Sequence, residues 1–205
     1  QPVAWYRRGL TVDRPGWPQG DYRYIVGWQR PPLYINEIMP VNNHTLEDEF
    51  GDTGDWIEIY NAGAEPLDLG GMFLTDDPML PTQYQIPDNT VVAGGGYYIL
   101  WADSLGQGTH LNFGLAGAGE ALALFDRAEH GYAPIDAAYF NPLDPDLSWG
   151  RFPDGGKEWY VMDTPTPEAA NKLHPPRFVE VTRAPHWPEA GQAVTVSVVL
   201  TAHNP

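Results

Sequence analysis

Residues 55–61 read Asp55-Trp-Ile-Glu-Ile-Tyr-Asn61, and their alternation decides the fold. Ile57 and Ile59 fall on one side of an extended chain and Trp56 and Tyr60 on the other, the two-residue period of a strand. The stretch Leu33-Tyr-Ile-Asn-Glu-Ile-Met39 carries the same signal, with Leu33, Ile35 and Met39 expected on one face. Outward from these two, short apolar runs stand at 67–75, 83–86, 96–102, 120–126, 135–140, 147–152 and 158–162, with turn residues between them. No amphipathic helix separates the runs. That pattern predicts an antiparallel all-β domain, sandwich or barrel. The runs share no common motif, which excludes a propeller or solenoid.

Composition agrees. The chain has 205 residues, 42% of them hydrophobic, with 22 Gly and 21 Pro. So many breakers exclude long helices and coiled coils. No apolar run approaches the ~20 residues that a membrane helix needs. The chain contains no cysteine, which excludes disulfides, zinc–thiolate sites and cysteine nucleophiles.

Charge is unevenly placed. The net value is -16, yet residues 1–32 sum to +3, residues 33–171 to -20 and residues 172–205 to +1. An acidic body between mildly basic ends argues against nucleic-acid binding, which needs a basic face. It suits a secreted or cell-surface protein, or one that binds cations. The opening residues have no apolar leader core, so secretion implies a signal segment already removed.

The same divisions mark the expected domains. Residues 1–32 read as an extended arm with one strand at 21–28, ending in the stiff Pro31-Pro32 joint. Residues 33–171 hold the sandwich. Residues 172–205 read as a Pro-rich linker and two strands, at 178–182 and 194–201, of a partial second β module.

Within 33–171 an ordered series of motifs resembles a bacterial, secreted-type lamin-tail domain. The series runs Tyr34-Ile-Asn-Glu-Ile38, Asp55-Trp-Ile-Glu-Ile-Tyr-Asn61, Glu65-Pro-Leu-Asp-Leu-Gly-Gly71 and Phe73-Leu-Thr-Asp-Asp77. It continues with Ile86-Pro87, Val92-Ala-Gly-Gly-Gly-Tyr97, Asn112-Phe-Gly-Leu115 and Gly117-Ala-Gly-Glu120, and closes on Ser148-Trp-Gly-Arg-Phe-Pro-Asp-Gly155 and Thr164-Pro-Thr-Pro167. The resemblance implies an immunoglobulin-like β-sandwich and a non-catalytic module. The flanking strands resemble pieces of immunoglobulin-like domains.

Catalytic motifs are missing. The six histidines are scattered without HExxH spacing, and no GxSxG elbow occurs. Glycines 94–96 and 117–119 lack a following Lys-Ser/Thr and read as tight turns. The chemically suggestive stretch is Glu47-Asp-Glu-Phe-Gly-Asp-Thr-Gly-Asp-Trp-Ile-Glu58, with six carboxylates and no basic partner. Two readings stand for it: a solvated loop that guards a sheet edge, or a calcium site at Glu47, Asp48, Asp52 and Asp55. Glu37 and Asp76 are further ligands under the second reading. Trp56, Trp101, Trp149 and Trp159 read as core between two sheets, with a sugar-stacking platform as the alternative. Trp17, Tyr22, Tyr24, Trp28 and Trp187 are large rings in tails and joints, where docking between modules would cover them.

These readings converge on a non-catalytic structural or adhesion module of a secreted or cell-surface protein, built into a repeating extracellular assembly. Its expected partners are other copies of itself or neighbouring modules. The rival reading is a carbohydrate-binding module appended to a larger enzyme, with polysaccharide as the partner.

Overall fold

A computed structural model of the chain describes residues 27–173, 177–185, 187 and 189–201. The expected strand at 21–28 lies almost wholly outside the described residues, as do Trp17, Tyr22 and Tyr24.

The fold is an all-β, immunoglobulin-like antiparallel sandwich. One sheet has five strands: β1 (Leu33–Met39), β2 (Trp56–Asn61), β7 (Tyr97–Trp101), β10 (Ser148–Arg151) and β11 (Trp159–Met162), in the order β11-β10-β1-β2-β7. The other has four: β4 (Phe73–Thr75), β5 (Tyr84–Gln85), β8 (Ala121–Phe125) and β9 (Pro134–Tyr139), in the order β5-β4-β8-β9. A short ribbon pairs β3 (Leu67–Asp68) with β6 (Val91–Val92). The expected runs at 178–182 and 194–201 become β12 (Arg177–Ala184) and β13 (Thr195–Thr201), a separate two-stranded sheet. Among the described residues the one helical element is a 3-10 turn at Ala128–His130.

The core lies between the two large sheets. Leu33, Ile35, Ile38, Ile57, Ile59 and Leu100 from the five-stranded sheet meet Leu74, Leu122, Leu124, Ile135 and Ala138 from the other. Removing this apolar area from water is the main favourable term in folding. Ile57 and Ile59 point inward as their alternation requires. Met39 does not share their side. Asn36 is an extra residue between the Ile35↔Ile59 and Glu37↔Glu58 pairs, so the register shifts there. This bulge reverses the alternation. Ile38 therefore joins Leu33 and Ile35 in the core, while Met39 turns outward onto Trp56 and Trp101.

The outer face of the five-stranded sheet is thus buried as well. Met39, Trp56 and Trp101 form a second apolar cluster there, flanked by Leu46 from the acidic segment. Trp56 is core, but not between the two sheets. Trp149 and Trp159 are half-buried and stack on each other with centroids 6.1 Å apart.

An ion pair ties the sheets together. Arg151 on β10 faces both oxygens of Asp136 on β9, at 3.1 and 3.0 Å. It also donates to the Ile35 carbonyl at 2.8 Å, and Asp136 accepts from the Ile35 N–H at 2.9 Å. The guanidinium lies 4.4 Å from the centre of the Trp159 ring. Residues 28–32 pack on the same body, since Arg30 donates to the Ile135 carbonyl at 2.7 Å and the Pro32 carbonyl accepts from Ala62 at 2.8 Å.

The glycine clusters are turns. The Gly95 N–H bonds to the Asn61 and Gly63 carbonyls, and that of Gly96 to Ala93. A Cβ on Gly94 would lie 2.1 Å from the Ala64 oxygen, so the two chain segments touch there. N–H groups spent in this way leave no cradle for a phosphate.

Candidate functional site

The acidic segment folds around a residue that carries no charge. Asn42 is buried, and its side-chain amide donates to the carbonyls of Leu46 and Gly54 at 2.7 and 2.8 Å. Its side-chain oxygen accepts from the Thr45 N–H and hydroxyl at 3.0 and 2.6 Å. One amide therefore closes both ends of the loop. Asp48 closes the tip: its Oδ1 accepts from the N–H groups of Phe50 and Asp52 at 2.8 and 2.9 Å, across Gly51 at φ 84°.

The four expected calcium ligands do not share one pocket. Asp55 turns away to accept from the Asn42 N–H at 3.1 Å, and burial pushes its carboxyl up to about 6. Glu47 and Asp52 are exposed. Partial desolvation of Asp48 is outweighed by the N–H groups of Asp52 and Phe50, which hold its carboxyl below the usual range. Among the described residues, Asp48 instead comes together with Asp103 and His110, their ligand atoms within 4.8 Å of one another.

His110 was not legible as a site in sequence. It sits in the loop after β7, which doubles back so that Leu111 N–H bonds to the Trp101 carbonyl at 2.7 Å and Trp101 N–H to that of Thr109 at 2.9 Å. The imidazole is only 3% exposed and lies between the Trp101 and Phe50 rings, at centroid distances of 6.5 and 5.5 Å. Its Nδ1 is 2.5 Å from Asp103 Oδ2, and Glu49 Oε1 lies 3.2 Å from its Nε2. Desolvation disfavours the charged ring, but the Asp103 and Glu49 carboxylates outweigh it and raise the basicity of His110. Charges brought together by loops distant in sequence leave no spacing signature.

Glu37 belongs to a different cluster. With Glu58 it lies on the outer face of the β1–β2 pair, beneath the segment 164–171. Glu37 accepts from the Ser148 hydroxyl and from the Thr166 N–H at 3.1 Å. Glu58 accepts from Asn36 at 3.1 Å and from the Glu168 N–H at 2.6 Å. Asn171 closes the segment by donating to the Arg151 and Asn36 carbonyls at 2.8 and 3.2 Å. The Thr-Pro-Thr-Pro motif is therefore held down by buried carboxylates. Asp76 is half-buried in the bend just after β4.

The rings expected to dock modules divide. Trp28 is half-buried, and its indole N–H donates to Asp126 at 2.7 Å within the same domain. Trp187 is 81% exposed beside β12, with the Arg183 guanidinium 5.8 Å from its centre. Because Trp56 and Trp101 are buried, they form no sugar platform.

A model of the lamin tail domain family matches residues 29–139. Neither a curated protein nor a solved structure matches the chain. The match covers the span from the segment beside Arg30 to the end of β9, and the sandwich continues beyond it through β10 and β11. With more than half of its residues inside that match, the chain belongs to the lamin tail domain family.

Proposed function

We propose that this protein is a non-catalytic structural module of a secreted or cell-surface protein, joined to further copies of itself in a repeating extracellular assembly. Its family is generally non-catalytic, and the acidic, cysteine-free body suits an exposed, soluble setting. The observation that carries the reading is the β12–β13 sheet. Val181 pairs with Val198 and Arg183 with Val196, so these four residues share one face. Val181 and Val196 are each 60% exposed and Val198 46%, beside the exposed ring of Trp187. An apolar strip with a cation at its end fits the surface of a -20 body better than water. The occupant is the sandwich of the next copy. Contacts of this kind, which do not close into a ring, extend into arrays.

Sedimentation velocity across a concentration series at low salt tests the reading. Self-association that salt weakens, and that Val196→Glu with Val198→Glu abolishes, is the expected result. A compact monomer throughout the series would overturn it.

One observation favours the carbohydrate-binding alternative. An open cleft of about 710 Å3 is lined by Phe73, Tyr132, Arg127, Asp88 and Asn89. The two rings meet edge to face at 5.6 Å, giving an aromatic wall among polar groups. Affinity electrophoresis against a polysaccharide panel distinguishes the readings: retardation lost in Tyr132→Ala supports sugar binding at this cleft.

A further inference from the structure

The two ends of the sandwich differ. Strand β1 finishes at Met39, which pairs with Trp56 at the start of β2, and Trp56 pairs with Trp101 at the finish of β7. In the other sheet Thr75 at the finish of β4 pairs with Ala123, and Ala121 at the start of β8 with Tyr139 at the finish of β9. The segments 40–55, 76–83, 102–120 and 140–147 therefore gather at one end. They touch there: Asn112 donates to the Gln83 carbonyl at 2.9 Å, the Tyr84 hydroxyl donates to that of Gly108 at 2.8 Å, and the Phe50 ring lies 5.5 Å from that of His110. Both flanks depart from the opposite end. Leu33 pairs with Asn61 there, and Asn171 donates to the carbonyl of Arg151, the partner of Trp159 at the start of β11.

These four loop segments hold eleven Asp and Glu and no Lys or Arg. The cations of the sandwich lie elsewhere: Arg127 on the Asp68 and Gly70 carbonyls, Arg151 buried against Asp136, and Lys157 in the turn between β10 and β11. Acidity alone would describe a solvated face. Among the carboxylates, however, stand Phe50, Met79, Leu80 and Leu105, each more than half exposed and drawn from three adjoining loops. Large apolar side chains grouped in water mark an interaction surface. The charge around them selects a partner that is both apolar and cationic. An anionic lipid surface has the wrong sign.

We propose that this loop end is the docking site for the β12–β13 sheet of a second copy. The inference rests on the self-association proposed above and names the surface that it uses. The sheet offers what the loop end demands: the exposed Val181, Val196 and Val198 with Arg183 on the same face. Symmetric alternatives are disfavoured by charge. Two loop ends facing each other would oppose eleven carboxylates to eleven, and two sheets would bring Arg183 toward its own copy. A contact between unlike surfaces leaves one loop end and one sheet unused in every pair, so that growth continues head to tail.

Sedimentation velocity of the full chain at low salt tests the proposal. Leu80→Glu with Leu105→Glu should weaken self-association by about tenfold or more, as Val196→Glu with Val198→Glu does. Val91→Glu, at an equally exposed apolar position in the β3–β6 ribbon, should leave it unchanged. The decisive measurement mixes the loop-end variant with the sheet variant. Each alone should be monomeric. Together they should form a 1:1 dimer that does not grow, because the intact sheet of one meets the intact loop end of the other. A loop-end variant that associates like the parent, while the sheet variant does not, would overturn this docking site and leave self-association standing. A mixture that stays monomeric would overturn it too. A parent chain that is monomeric at every concentration would overturn both.

Discussion

Glu37 and Glu58 stand directly opposite each other on neighbouring strands, and neither is exposed to water. Burial raises both carboxyls; the Asp154 charge adds to it at both, and the Glu37 charge at Glu58, which is pushed up to about 8. At neutral pH the pair therefore carries a proton that the unfolded chain would have released.

The first prediction follows from that proton. Below the ordinary value of 4.5 both folded and unfolded Glu58 hold it, and above about 8 neither does. Between these limits only the folded chain does, so stability must fall as pH rises, by ~1.4 kcal/mol per pH unit at the steepest. Urea unfolding from pH 5 to pH 9 should show this decline, and Glu58→Gln should flatten it. An equal slope in the two proteins would assign the proton elsewhere.

A second prediction concerns the link between the sheets. Asp136→Asn keeps an acceptor for the Ile35 N–H but leaves the buried Arg151 without its counter-charge. Such a loss costs about 3–5 kcal/mol. Arg151→Lys should also destabilise, because an ammonium cannot face both Asp136 oxygens while bonding the Ile35 carbonyl. Chemical denaturation reads both, and a change under about 1 kcal/mol in Asp136→Asn would mean that the pair is solvated.

The third prediction tests the outer apolar cluster. Trp56→Ala should cost roughly 3–5 kcal/mol, the range for a fully buried large ring. It should also loosen the segment 42–55, detected as faster amide exchange at the Asn42-bonded N–H of Thr45. Loss of stability without local loosening would place the energetic role of Trp56 within the sheet alone.

Strand content was legible in the sequence because a two-residue period survives wherever one face is buried. It failed at Met39, where the bulge at Asn36 reverses the side on which later residues fall. It also passed over Val91–Val92, a strand too short to show a period. The expected run at 67–75 breaks into two strands at Leu69–Met72, where the chain turns between ribbon and sheet. The site was less legible. Glycine and acidic residues pointed to the 47–55 loop, but not to the buried nitrogen against which it lies. Asp103 and His110 are more than fifty residues away from Asp48, and only the fold brings them near.

Strand β1 has a temporal consequence. It lies inside its sheet between β2 and β10, whose residues are more than a hundred positions later in the chain. As the polypeptide emerges from the ribosome, one hydrogen-bonding edge of its earliest described strand stays unpaired until Trp149 and Gly150 have been made. Closing so long a loop is slow, and topologies dominated by distant pairings fold late and remain prone to misassociation meanwhile. Nascent copies therefore have an open strand edge during synthesis, when a chaperone or a neighbouring chain has the longest access to it.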